Sequence, residues 1–268
     1  MKIIDCFLFY NELNLLHFKL EELYDEIDYF ILIESTHTFV GREKILYYNE
    51  NKHLFEKYNA KIIHIIHDEN PVSISGNPWD NEKQQRYYCV KGLELLNLQE
   101  EDIVILSDLD EIIDKKRLSE IKQHGLSEPL YALEQDMYYY NLNNKLAEKW
   151  YRSKVIKYSK MKEFNKNYTS FHTIIQPEYN PDGKHIGHYP IIRNGGWHFS
   201  YFGGIETIKN KLLNFSHSEF AYIAKDTDEM FLDKIKYSKD ILNRENLQMD
   251  YIKLEDNVYL PMNYKMLL

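Results

Sequence analysis

Cysteine, glycine and proline are scarce in this chain, at two, ten and seven among 268 residues. Cys6 and Cys89 both lie within apolar runs, which excludes a disulfide framework and a cysteine-based zinc site. So few glycines and prolines leave no flexible linker or low-complexity stretch, and one continuous domain over residues 1–268 is expected. No apolar run approaches the roughly 18 residues of a membrane span. Met1-Lys2 leads straight into the strand-like run Ile3 to Phe9, too short and too polar for a signal peptide, so a soluble, cytoplasmic protein is expected. Basic residues are in the minority, 33 Lys and Arg against 42 Asp and Glu for a formal charge of −9, which argues against a nucleic-acid partner. Aromatics are plentiful, with 23 Tyr and 13 Phe, clustered in part at Tyr138-Tyr139-Tyr140 and from Trp197 to Phe202. They suit a half-buried sheet, and some of them a wall for sugar rings.

Ile103-Val104-Ile105-Leu106-Ser107-Asp108-Leu109-Asp110-Glu111 carries the strongest chemical signal. Four apolar residues running into two acids read as a buried strand whose C-terminal end opens into a crevice. Two Asp separated by one residue, on a turning backbone, offer hard oxygen ligands to Mg²⁺ or Mn²⁺. Asp226-Thr227-Asp228 has the same spacing without the apolar run, and it reads as the cap of the helix that follows.

Before Asp108, strands are expected over residues 3–9, 28–34 and 61–67. They alternate with a helix bearing Leu13, Leu16, Leu20 and Leu23 and with another from about Trp79 to Leu96. Alternation of this kind predicts a doubly wound, mainly parallel α/β sheet. Beyond Asp114 the pattern predicts a mixed extension, with strands at Leu130–Asn141, Ser170–Gln176 and Tyr189–Arg193. A mostly helical C-terminal part is expected from Glu206, with Phe231, Ile235, Tyr237 and Ile241 on one stripe.

Several segments, in order, carry a resemblance: Asn11-Glu12 with the Leu-rich helix, Ile33-Glu34-Ser35 followed by Thr38 and Gly41, Trp79 with Arg86, Ser107 to Glu111, and Gly196 to Ser200 leading to Glu206 and Lys211. This set resembles glycosyltransferase family 17. The resemblance implies a GT-A fold, with residues 1–114 binding a nucleotide sugar and 115–268 serving the acceptor. It also implies inverting transfer from a UDP-sugar, GlcNAc by default, to a glycan acceptor, with Mn²⁺ or Mg²⁺ as cofactor.

For that reaction Asp110 is the expected direct metal ligand, with Asp108 on the metal or the ribose, Glu111 orienting a metal-bound water, and His198 as third ligand. Glu206 is the expected general base, with Asp136, Glu219 and His217 as alternatives. Glu12 and Glu34 are expected at the ribose or base, and Arg86, Lys44 and Lys211 at the diphosphate. Trp79 and Trp197 either stack on a sugar or fill core. Two other classes stay open: a haloacid-dehalogenase-like phosphatase using the Asp-x-Asp, although Ile112 stands where such motifs carry Thr or Val, and a non-catalytic carbohydrate-binding protein.

Overall fold

The computed structural model describes residues 1–175, 189–245 and 247–268. The apolar runs of the first half form β1 (Ile3–Phe9), β2 (Tyr29–Ser35), β3 (Ile62–His67) and β4 (Ile103–Asp108). These four strands lie parallel in the order β3-β2-β1-β4. Along β1, Ile3 and Phe7 face one core with Leu16, Leu20 and Leu23 of the helix Leu13–Leu23, while Ile4, Cys6 and Leu8 face another with Cys89, Val90 and Leu93. Burial on both faces is what makes such strands near-continuous in apolar residues. The chain steps outward from β1 to β3 and returns to the other side of β1 for β4. The order therefore reverses between β1 and β4, and an open α/β sheet places its ligand crevice at the C-terminal ends of the strands at such a reversal.

The same sheet continues through β5 (Glu111–Ile113), β6 (Leu130–Tyr139), β7 (Asn144–Trp150), β8 (Lys154–Lys157), β9 (Ile191–Ser200) and β10 (Met249–Tyr251). β8 is antiparallel to β4 and to β6, and β6 is antiparallel to β7 but parallel to β9. The expected parallel core with a mixed extension is therefore present, and one sheet runs through both halves of the chain. Among the described residues, no helix is long and apolar enough to cross a membrane.

Three local expectations are corrected. Ser170–His172, expected as strand, lies in the helix Tyr168–His172, because the Asn167 side chain accepts the Ser170 N–H at 2.9 Å and caps it; Gln176 lies outside the described residues. The helix expected from Trp79 to Leu96 is two, Pro78–Tyr87 and Cys89–Glu94, the first capped by Asn77 with Pro78 behind it. The late helix ends at Lys236, so Tyr237 is exposed and Ile241 reaches the core from beyond it. The Asp226-Thr227-Asp228 copy does mark a helix start, where the Thr227 side chain accepts the Met230 N–H.

Candidate active site

The acid pair sits where the sheet order reverses. Asp108 ends β4 opposite Leu8 of β1, the chain turns through Leu109 and Asp110, and Glu111 starts β5. β5 then pairs with β9 so that Glu111 stands opposite His198, and Phe199 N–H donates to the Asp110 carbonyl at 2.8 Å. This register brings His198 to Asp110 across 87 residues of sequence; their Nε2 and Oδ2 atoms are 3.4 Å apart. Gly196 permits the approach. Its φ is +133°, and a Cβ there would stand 2.0 Å from the Ile112 carbonyl oxygen.

Above the turn is a cavity of about 270 Å³ whose walls include Glu12, Lys44, Arg86, Asp108, Asp110, His198 and Lys211. Lys211, on the helix Ile205–Asn214, donates to Asp110 Oδ2 at 2.8 Å. Burial works to raise the Asp110 carboxyl, but Lys211 and His198 outweigh it and hold the group well below the usual carboxylate range. Arg86, from the helix Pro78–Tyr87, is buried and pairs with Asp108 Oδ1 at 2.7 Å and with Glu82 at 3.3 Å. Burial opposes the Arg86 charge, and the two acids more than restore it. The Nε atoms of Arg86 and of Arg152, a second arginine on the cavity wall, are buried without hydrogen-bond partners. Lys44 is pushed down to about 8 by burial, against the pull of Glu34 and Glu12.

Other expected site residues lie elsewhere or hold the frame. Glu34 is fully buried and accepts from Tyr48 N–H at 2.9 Å, Asn49 N–H at 3.4 Å and His64 Nε2 at 3.0 Å, so its carboxylate organises the segment after β2 and does not line the cavity. Glu111 is likewise buried, accepting from Asp108 N–H, Ser153 Oγ and Trp150 Nε1; it shapes the acid turn from below. Trp150 in turn packs on His198 with ring centroids 4.7 Å apart. Glu206 is exposed in the first turn of its helix and does not line the cavity. Asp136 is buried between Lys145 and Lys149, and Trp197 fills core against Tyr259, whereas Trp79 and His217 do line the cavity.

Lys19 and Asp5, absent from the expected site residues, brace it from below. Lys19 is fully buried beneath the acid turn, donating to Ser107 Oγ at 2.8 Å and to the carbonyls of Glu111 at 3.0 Å and Asp108 at 3.1 Å, and pairing with Asp5 at 3.3 Å. Ser107 Oγ also donates to Asp5. The signal was present: Asp5 interrupts an apolar strand and Lys19 lies on the same stripe as Leu16, Leu20 and Leu23. A charge in such a place needs a buried counter-charge.

Two comparisons bear on these residues. The profile of Glycosyltransferase family 17 matches residues 1–249. The chain is also similar to two proteins named beta-1,4-mannosyl-glycoprotein 4-beta-N-acetylglucosaminyltransferase, from Rattus norvegicus and from Homo sapiens. Each is 26% identical over 133 residues, which is 48% of this chain and 25% of the relative. The match thus spans about a quarter of the length of those relatives.

Proposed function

The chain belongs to glycosyltransferase family 17, and from that premise we propose that its cleft moves a sugar from a UDP-sugar, GlcNAc by default, to a glycan acceptor with inversion at the anomeric carbon. The observation that carries the proposal is the meeting of Asp108, Asp110, Arg86, Lys211 and His198 around one cavity at the β1/β4 reversal. This is a fitting place for a nucleoside diphosphate, and the strand order with an acid pair at the end of β4 supports a GT-A reading of the fold.

Arg86 and Arg152 line the cavity, each with a buried Nε that has no hydrogen-bond partner, and a guanidinium is the group that pairs with phosphate oxygens in bidentate fashion. Lys211 adds a third cation beside Asp110. As the glycosidic bond breaks, negative charge grows on the diphosphate, and cations fixed in a low-dielectric cleft stabilise it without reorganising. Glu12, at the exit of β1, lines the same cavity, and its carboxylate would accept hydrogen bonds from ribose hydroxyls.

The residues also fit a divalent cation, with a smaller protein set than three. Asp110 Oδ2 and His198 Nε2 stand 3.4 Å apart, near the roughly 3 Å separating adjacent donors on one octahedral ion. The Asp108 carboxylate is turned to Arg86, and among the described residues no group of three or more His, Cys, Asp or Glu is arranged to hold a metal. Asp110 and His198 would therefore be the residues that hold Mn²⁺ or Mg²⁺, with Asp108 beside them, and hard cations of this kind are commonly held by few protein groups together with substrate phosphates. When bound, the cation offsets charge on the leaving diphosphate.

The test is thermal stabilisation by a panel of nucleotide sugars with and without Mn²⁺, followed by UDP release from each binder. Ligand at about 100 times its Kd stabilises the native state by about 2.7 kcal/mol, and Asp110→Asn is expected to abolish metal-dependent turnover with the fold retained. No shift with any UDP-sugar, or unchanged turnover in Asp110→Asn, overturns the proposal. Release of phosphate from sugar-free phosphomonoesters would support the phosphatase instead.

A further inference from the structure

An inverting displacement needs a base on the acceptor side, and the acids that line the cavity are already engaged. Asp108 and Glu82 hold Arg86, Glu82 also accepts from Ser216 Oγ, and Asp110 is held in its charged form by Lys211 and His198. A carboxylate so stabilised is a poor proton acceptor. Glu12 is half-buried at the exit of β1, beside the proposed nucleotide, and accepts the Asn11 N–H. Glu206 and Asp136 lie outside the cavity wall.

His217 is placed differently. It follows the helix that carries Lys211, lines the same cavity, and pairs through Nδ1 with Glu219 Oε1 at 2.7 Å. A carboxylate on Nδ1 selects the tautomer with the proton there and leaves the lone pair on Nε2, the orientation of a base held by a third group. The ring sits among aromatics, edge-on to Trp79 at 4.7 Å and with Phe215 and Phe220 at 5.7 and 6.1 Å. Such rings offer a sugar its apolar face. The preceding residue, Ser216, bonds Glu82, which bonds Arg86, which bonds Asp108. The imidazole is thus tied to the acid turn through three side chains while 43% of its surface stays open to an incoming acceptor.

Resting on the glycosyl-transfer reading above, we propose that His217, oriented by Glu219, is the general base of the reaction. Nε2 takes the proton of the acceptor hydroxyl as that oxygen bonds to the anomeric carbon. The bond from that carbon to the β-phosphate oxygen breaks, and its electron pair leaves with UDP beside Arg86 and Lys211. The charged groups around the ring are few. Glu219 bonds it; on the helix packed against it Glu82 is engaged by Arg86 and Ser216, and Asp80 and Lys83 pair with each other at 4.0 Å. Lys211 on the preceding helix is committed to Asp110.

The experiment follows UDP release from UDP-GlcNAc and the other UDP-sugars, with water or added glycans as acceptor, across pH in wild type, His217→Gln and Glu219→Gln, with UDP affinity measured by calorimetry. His217→Gln is expected to lose about 100-fold or more in kcat, keep its UDP affinity, and lose the acid limb of the wild-type pH profile. Glu219→Gln is expected to lose less and to keep the limb. Wild-type kcat in His217→Gln, or a retained acid limb, overturns the assignment, as does a loss confined to UDP affinity. A wild-type protein that binds no UDP-sugar overturns the transfer reading and the base together, which separates the two failures.

Discussion

Lys19→Met removes one charge and little volume, and the structure says what must follow. The wild-type ammonium is fully buried, lies 4.5 Å from the Phe7 ring centre, and supplies the cation for Asp5 and donors for Ser107 and two carbonyls of the acid turn. Methionine keeps much of the apolar stem and leaves Asp5 buried without a cation. Breaking a buried pair in this way costs about 3–5 kcal/mol, a large share of the roughly 5–15 kcal/mol that holds a domain folded. The cost should depend on pH. Burial already raises the Asp5 carboxyl in the wild type, outweighing Lys19 and the Ser107 hydrogen bond. Loss of Lys19 removes an opposing influence and moves the carboxyl higher. Between the unfolded value near 4 and the raised folded value, the native state binds a proton that the unfolded state lacks, so stability falls as pH rises through that window, by about 1.4 kcal/mol per unit. Urea denaturation of Lys19→Met should therefore show a modest loss near pH 4 that grows toward neutrality. The double variant Lys19→Met/Asp5→Asn should recover part of the neutral-pH loss and flatten its pH dependence. A loss below about 1 kcal/mol at pH 7, or one that stays the same from pH 4 to 8, refutes the argument.

Two further outcomes are expected from the cleft. Lys44, pushed down to about 8, loses its charge as pH rises through that value, so calorimetric UDP affinity should fall there in the wild type and stay level in Lys44→Met; parallel curves would remove Lys44 from the phosphate wall. Glu206→Ala should leave UDP release within about twofold and stability within about 0.5 kcal/mol, as for an exposed residue without partners in the cleft; a hundredfold loss of turnover would return the base to Glu206.

The parts of this fold that could be read in the sequence are those whose environment acts along the strand itself. β1, β2 and β4 are covered on both faces, so their apolar runs announce them, and the break at Ser107-Asp108 marks the crevice because two acids cannot continue a buried strand. Pairing between distant segments left no such mark. β5 is three residues long, and only its register with β9 puts His198 beside Asp110. Glu34 and Glu111 occupy strand-end positions that suit ligand binding, yet their carboxylates are consumed by neighbouring N–H and O–H donors. Whether a strand-end acid faces the crevice or braces it depends on which donors tertiary packing delivers, and its own residue number does not encode that. Ser170 to Ile175 illustrates the converse: phenylalanine, threonine and isoleucine favour a strand, and one Asn167 oxygen at the right backbone N–H starts a helix instead. The misplaced charges were the clue with most left to give. Asp5 within β1 and Lys19 on the apolar stripe of its helix each predict a buried partner of opposite sign, and a strand and the crossover helix packed on it supply the shortest route between them. Pairing those two residues from the sequence would have located the underside of the acid turn, and with it the end of β4 that the ligand must face.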